Sequence, residues 1–367
     1  MHIWLAPSAF FPHRGGVEEL SLQLARELGR TGDDVLVVTH RHPPELAESE
    51  TVEGIAVRRV EFTAPRADPL ALLRFLRGTW AVQRMLDELV PLPDLIHVQC
   101  VSNQLAHLLL YARRHRVPMV LTTQGETAMD AGAIFQRSVY MRLTLRSAAR
   151  RARTLTACST WTATQTARLA PRFGGAIVVP NGVDPGQWDV GSLTSQPVLC
   201  SWGRHVPQKG FDLVIAAFAL LRERIPDARL LIGGDGPETP VLRALAGPGV
   251  EFLGTLDREG VRRMLAAARV AVVPSRVEPF GIVALEALAA GRGLVYAAGT
   301  GIAEATGGLG RATDAACPHA LADAMETEVA DPTSAGAGRA RAAELSWGRI
   351  AGLYRAIYAP LVGGRAS

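Results

Sequence analysis

Short apolar runs alternate with helix-period segments along the whole chain, and this alternation runs twice. HIWLAP (2–7) leads into GGVEELSLQLARELGRTG (15–32), where Val17, Leu20, Leu24 and Leu28 share one helical face. DVLVVTH, IAVRRVEF, PDLIHVQC, VPMVLTTQG, TLTACS and AIVVPNGVD follow as predicted strands, with helices expected over about 69–90, 102–116, 135–152 and 160–170. PGQWDVGSLTSQP (185–197) has Pro, Gly and Ser but no period, and reads as a domain linker. The alternation then restarts with VLCSWG, ARLLIGG, VEFLG, RVAVVPS and GLVYAAG, separated by helices expected over about 210–225, 238–246, 257–268 and 282–290. Nearly continuous apolar strands bury both faces, so each run implies a parallel sheet covered by helices. The expected fold class is α/β, with two Rossmann-like domains, 1–190 and 191–345, facing across a cleft. SWGRIAGLYRAIYAPLV, within 346–367, keeps a helical period and is expected to pack back on either domain.

Composition narrows the function classes. The 367 residues are about twice an ordinary domain, and 48% of them are apolar, enough for two cores. A formal net charge of +4 suits a small anionic ligand but lacks the dense basic signature of a nucleic-acid binder. Cys100, Cys158, Cys200 and Cys317 are far apart and read as small buried hydrophobes. No signal-peptide pattern and no apolar run of about 18 residues occurs, so a cytoplasmic location is expected.

Three stretches carry candidate chemistry. In VEPFGIVALEALAAGRG (277–293), Pro279 turns Glu278 out of helical geometry and Gly281 permits a tight turn. Ile282, Val283, Leu285 and Leu288 then open a buried helix whose first amides have no internal partner and suit a phosphate. Glu286 lies four residues in, roughly 6 Å along the axis. Carboxylates flanking a phosphate site suit the hydroxyls of a nucleotide sugar. The bland alternative is one helix-start Glu and one solvent-facing Glu. In WGRHVPQKGFDLVI (202–215), Arg204 and Lys209 follow a strand, where doubly wound sheets bind ligands, although surface Arg and Lys are usually just solvated. In FFPHRGGVEEL (10–20), Gly15 and Gly16 precede a helix and permit close approach of a ligand, or simply a turn.

Together with VVPNGVD, LLIGGDGPE, VEFLG, GTGIAEAT and SWGRIAGLY, these stretches resemble the family 4 glycosyltransferases of the GT-B fold over nearly the whole chain. The resemblance implies retaining transfer of a sugar from a nucleotide-diphosphate donor, UDP-sugar being the commonest. It implies that Arg204 and Lys209 neutralise the leaving diphosphate and that Glu278 holds donor-sugar hydroxyls. It further places the backbone of Phe280 and Gly281 at that sugar, the amides of Ile282 and Val283 at the phosphate, and Glu286 at the ribose. Gly16, beside Gly15, approaches the diphosphate, and the base lies near GGDGPE and the backbone of Phe252 and Leu253. In the family pattern the last helix crosses back to the first domain. One departure stands out. Where the family often has histidine after the strand before the acceptor site, this chain has Gln124, which hydrogen-bonds but is no general base. Glu126 and Asp130, just downstream, are either acceptor contacts or polar loop residues.

No Asp-x-Asp and no His or Cys pair at metal-ligand spacing occurs, so neither a metal nor another cofactor is expected. The Gly-x-Gly-x-x-Gly of nicotinamide enzymes and the Gly-x4-Gly-Lys of P-loop proteins are missing, and no lysine stands out for pyridoxal phosphate. A non-catalytic nucleotide-sugar or glycan-binding protein of the same fold is the alternative from another class. FQRSVYMRLTLRSAARRAR (135–153) spaces Arg142, Arg146 and Arg150 by four, with Met141, Leu145 and Ala148 on another side. Such a helix is either a solvated face or a peripheral contact with anionic membrane. The Ala-, Arg- and Gly-rich composition suits a high-GC bacterial source, with a natural product, envelope lipid or polysaccharide as acceptor.

Overall fold

The computed structural model describes residues 1–13, 15–63, 69–129, 132 and 134–363, with side chains 69–74 and 76 set aside. The chain divides into unit 1, Met1–Pro180 with Trp347–Ser367, and unit 2, Asn181–Ser346.

Unit 1 is built on an eight-stranded sheet of β1 (His2–Pro7), β2 (Asp34–His40), β3 (Ser49–Val52), β4 (Ile55–Val60), β5 (Leu95–Gln99), β6 (Met119–Thr123), β7 (Thr154–Ala157) and β8 (Ile177–Val178). Its order is β3-β4-β2-β1-β5-β6-β7-β8, parallel except for the β3–β4 hairpin. Chain order reverses between β1 and β5, so the loops after these strands flank a topological switch point. One core joins Trp4, Val38, Ile96, Val98, Leu121 and Leu145 across sheet and helices. The helical segment expected over 135–152 breaks at Ser138 into Ile134–Arg137 and Val139–Arg151, because the Ser138 hydroxyl caps the second helix by accepting from the Met141 amide. Met141, Leu145 and Ala148 lie in the core of unit 1, whereas Val139 and Leu143 of the same helix are exposed. Arg142 and Arg146 donate to the carbonyls of Phe135 and Leu169. No helix among the described residues is long and apolar enough to cross a membrane.

The closing helix Trp347–Gly363 belongs to unit 1. Its Arg355 pairs with Asp33 at 2.9 Å, and its Tyr358 hydroxyl meets His97 Nδ1 at 2.5 Å. His97 Nε2 bonds the Thr122 hydroxyl at 2.6 Å, which meets the Thr156 hydroxyl at 2.5 Å. The helix is therefore anchored to β5, β6 and β7 by polar groups as well as by packing.

Unit 2 carries β9 (Val198–Trp202), β10 (Arg229–Gly233), β11 (Val250–Gly254), β12 (Val270–Val273), β13 (Gly293–Ala297) and β14 (Arg311–Thr313) in the order β11-β10-β9-β12-β13-β14, all parallel. Its core gathers Leu199, Phe218, Leu230, Ile232, Val272 and Leu321. The switch point falls between β9 and β12.

The segment read as a linker is a strap of unit 2. Trp188 is buried in a 3₁₀ turn, Pro185–Trp188. Arg292 donates to the carbonyls of Gly191 and Ser192, Arg269 to that of Thr194, and Arg339 to that of Gly191. The division thus falls at 180/181 rather than at 190/191. Just inside unit 2, Val183 and Ser346 form a parallel bridge, so both chain crossings leave that unit side by side. Cys100, Cys158 and Cys200 are buried, whereas Cys317 is exposed.

Candidate active site

In unit 2, the loops leaving β9, β10, β12 and β13 are laced together by backbone contacts that glycines permit. The His205 amide donates to the Asp235 carbonyl and the Glu238 amide to that of His205. Gly234 has φ +118° and a Cβ there would sit 1.9 Å from the Gly203 oxygen, so no side chain fits. Burial lowers the His205 pKa; its Nδ1 meets the Thr239 hydroxyl at 2.8 Å. On the other side of β9, the Val277 amide donates to the Gln208 carbonyl. Arg276 grips both Asp212 oxygens at 2.8 and 2.6 Å and donates to the Pro207 carbonyl. That guanidinium holds the Asp212 carboxyl below the usual range. The Gly301 amide donates to the Glu278 carbonyl, tying the β13 loop to the β12 loop.

These laces bring Lys209, after β9, against Glu278, after β12. Lys209 Nζ donates to Glu278 Oε2 at 2.7 Å, and the Ser275 hydroxyl donates to the same oxygen at 3.2 Å. The Glu278 side chain is 9% exposed and that of Lys209 22%. A carboxylate this buried needs a cation beside it. The ammonium has three donors, of which Glu278 takes one. Arg204 is exposed and, among the described residues, has no ion pair.

Phe280 is buried, and Gly281 caps the helix Ile282–Ala289 at φ +93°. The Ala284 and Leu285 amides turn back to the Gly281 carbonyl. No backbone acceptor among the described residues engages the Ile282 and Val283 amides, which are the positive end of the helix dipole. Glu286 is half-buried one turn further on. β11 is an edge strand, so part of the backbone at Phe252 and Leu253 is unpaired by the sheet. Phe252 faces Arg243, whose guanidinium carbon lies 5.0 Å from the ring centroid, and Leu253 points to the opposite face.

In unit 1, Gly15 is the extended N-cap and Gly16 the first residue of the helix Gly16–Arg30. A Cβ on Gly16 would meet no protein atom within 4 Å, so packing does not demand glycine there. Glu18, which sequence reasoning passed over, has its pKa raised by burial, with its own backbone amide and His13 opposing. Gln124 is buried and donates to Gln99 Oε1 at 2.9 Å, tying the end of β6 to that of β5. Glu126 accepts from the Val101 and Gln124 amides, both at 2.8 Å, and so clamps the same two loops; burial raises its pKa. Cys100, between them, is held at φ +69°, unusual for a residue with a side chain, and burial raises its thiol pKa far up. Asp130 lies outside the described residues. Arg276, Asp212 and Ser275 also escaped sequence reasoning, since their partners are set by loop packing. Among the described residues no group of three His, Cys, Asp or Glu is placed to hold a metal.

Two doubly wound α/β units in one chain are the architecture of the GT-B fold. Residues 15–182 match the Glycosyl transferase 4-like domain and residues 196–331 the Glycosyl transferases group 1 family. The chain belongs to the group 1, family 4 glycosyltransferases of the GT-B fold. It is 29% identical to a glycogen synthase of Mycobacterium tuberculosis, over 90% of this chain and 86% of that one. It is 28% identical to the GDP-mannose:cellobiosyl-diphosphopolyprenol alpha-mannosyltransferase of Xanthomonas oryzae, over 77% and 74% of the two chains. Among solved structures, the fold is shared with the sucrose-phosphate synthase of Thermosynechococcus elongatus (TM-score 0.77, 23% identity, 98% and 99% covered). It is also shared with Anabaena HepE in complex with UDP and glucose (TM-score 0.75, 21% identity, 98% and 100% covered).

Proposed function

We propose that this glycosyltransferase moves a sugar from a nucleotide-diphosphate sugar to a hydroxyl acceptor, with retention at the anomeric carbon and without a metal. The observation that carries the reading is the Lys209–Glu278 pair beside the Ile282 and Val283 amides. A diphosphate placed there meets two spare ammonium donors, two helix amides and the Arg204 guanidinium, and these stabilise the charge that develops on the leaving group. Glu278 then both orients Lys209 and accepts from donor-sugar hydroxyls. Glu286, one turn in, is the ribose ligand, and the edge backbone of β11 contacts the base. The family resemblance assigns Gly16 to the diphosphate and Gln124 to the acceptor.

Gln124 is an amide and no general base, and Glu126 is engaged by two amides. In this reading the acceptor proton passes to the departing phosphate on the same face of the sugar, in keeping with retention. UDP-glucose and GDP-mannose are the donors that the names of relatives and fold neighbours suggest, and a lipid-linked or polymeric glycan is an acceptor of matching chemistry.

The test is calorimetry against UDP, GDP and ADP, followed by a donor-sugar panel with and without EDTA, and by NMR of the product anomer. Binding of one nucleoside diphosphate, EDTA-insensitive transfer and a product with the donor's anomeric configuration are expected. Inversion, or transfer abolished by EDTA, overturns the mechanism. Absence of transfer and of donor hydrolysis across the panel overturns the enzymatic reading in favour of a binding protein.

A further inference from the structure

A basic basin stands at the N-terminal ends of the unit 1 strands. A basin of about 650 Å³ lies where β6 begins, with Arg113, Arg116, Arg151 and Arg153 around it and Val117 and Met119 in its apolar floor. Two helices, Gln104–His115 and Val139–Arg151, end here, and the Arg153 amide donates to the Met119 carbonyl across the strand starts. Gln99 and Gln124 lie at the other ends of these strands, roughly 15 Å away at about 3.3 Å per residue.

Among the described residues no acidic side chain lines the basin. The nearby carboxylate of Asp87 is taken by Arg114 at 3.0 Å and His115 at 2.8 Å, neither of which lines it. Among the described residues Arg113, Arg151 and Arg153 have no carboxylate partner; Arg151 donates to the Ser147 hydroxyl. Basic residues at helix ends ordinarily offset the helix dipole. Two such ends supply only about −1 together, against the three guanidinium charges of Arg113, Arg151 and Arg153. The excess is therefore not explained by capping. Arg116 also occupies the left-handed position after its helix, φ +55°, where glycine is the unstrained residue.

We propose that this basin binds a ligand bearing clustered phosphates, whose oxygens the planar guanidinium groups engage in pairs. The same chemistry is offered by a soluble polyphosphorylated metabolite and by a phosphate-rich lipid headgroup. The site is separate from sugar transfer and does not depend on the reading of unit 2.

Calorimetry with inorganic tripolyphosphate, on the full chain, compares the wild type with Arg113→Ala/Arg153→Ala and with Arg116→Gly. A binding class that survives Lys209→Ala and loses about tenfold or more in affinity in the double variant is expected, since each charged hydrogen bond contributes measurably. The affinity also falls as salt is raised. Arg116→Gly removes a charge while relieving the backbone, so weaker binding with an unchanged or higher melting temperature separates ligand loss from damage to the fold. Co-sedimentation with phosphatidic acid vesicles, against phosphatidylcholine alone, distinguishes the sources. Loss of vesicle binding in the double variant assigns a lipid headgroup, and loss confined to tripolyphosphate assigns a soluble ligand. Unaltered binding of both by the double variant overturns the proposal.

Discussion

Lys209 Nζ donates to Glu278 Oε2 at 2.7 Å across the point where the strand order of unit 2 reverses. The two residues are 69 positions apart, and each is delivered by a different loop. Glu278 is the more buried of the two, so it depends on Lys209 for compensation more than the reverse.

Lys209→Ala is accordingly expected to cost both function and stability. Removing the ammonium leaves a buried carboxylate with the Ser275 hydroxyl, a loss of about 1–3 kcal/mol. Transfer falls by about 100-fold or more, since a charge-stabilising donor is gone. Glu278→Gln abolishes transfer with the smaller stability loss, because no buried charge is stranded. A combined Lys209→Met/Glu278→Gln variant regains stability relative to Lys209→Ala but no activity. Thermal melts and initial rates on the four proteins check this, and equal melting temperatures throughout contradict the assigned dependence.

Gly16→Ala and Gly234→Ala are expected to separate ligand space from backbone space. At Gly16 a methyl meets no protein atom within 4 Å, so stability stays within about 1 kcal/mol while kcat/KM for the donor falls by about tenfold or more. At Gly234 the methyl meets the Gly203 oxygen and φ is +118°, so the fold itself loses about 2 kcal/mol or more. Normal kinetics for Gly16→Ala removes that residue from the donor site.

The strap makes a prediction confined to unit 2. Arg292 is fully buried and donates to Gly191 and Ser192, and among the described residues it forms no ion pair. Arg292→Ala opens a cavity, strips the Ser192 carbonyl of this donor and leaves that of Gly191 to Arg339 alone, a loss of about 2–4 kcal/mol. Hydrogen exchange should rise over 185–197 and the adjoining strands. Exchange unchanged there shows that the segment behaves as a free linker.

Acid stability is expected to follow His97. Burial takes its pKa down to about 3, against about 6.5 in an unfolded chain. Between these values the unfolded chain binds the proton and the folded chain does not. The stability is therefore complete above about pH 6.5 and falls with acidification towards pH 3, by up to about 1.4 kcal/mol per pH unit. Burial lowers His40, His107 and His205 as well, which adds in the same direction. Melting temperatures from pH 7.5 to 4.5 should drop more steeply for the wild type than for His97→Gln. Identical slopes assign the acid sensitivity elsewhere.

Both sheets were legible from local pattern, because strand and helix periods are written in consecutive residues. The turn at Gly281 and the open helix start were legible for the same reason. The β3–β4 hairpin was missed because Ser49–Val52 is exposed and lacks an apolar signal. The break at Ser138 hid inside an otherwise helical pattern, and a hydroxyl that caps is visible only once the helix has an end.

Periodicity and glycine placement within the sequence by itself determined two parallel α/β units, their strands other than β3 and β14, and the residue types at the switch points. Which charges meet was decided only by tertiary structure. Lys209 reaches Glu278, Arg276 reaches Asp212, Glu126 clamps Val101 to Gln124, and the arginines of unit 2 tie down 185–197. Backbone preference is a property of a few neighbouring residues. The energy of a buried charge depends instead on what packing brings within about 3–4 Å of it, and no local stretch of chain contains that information.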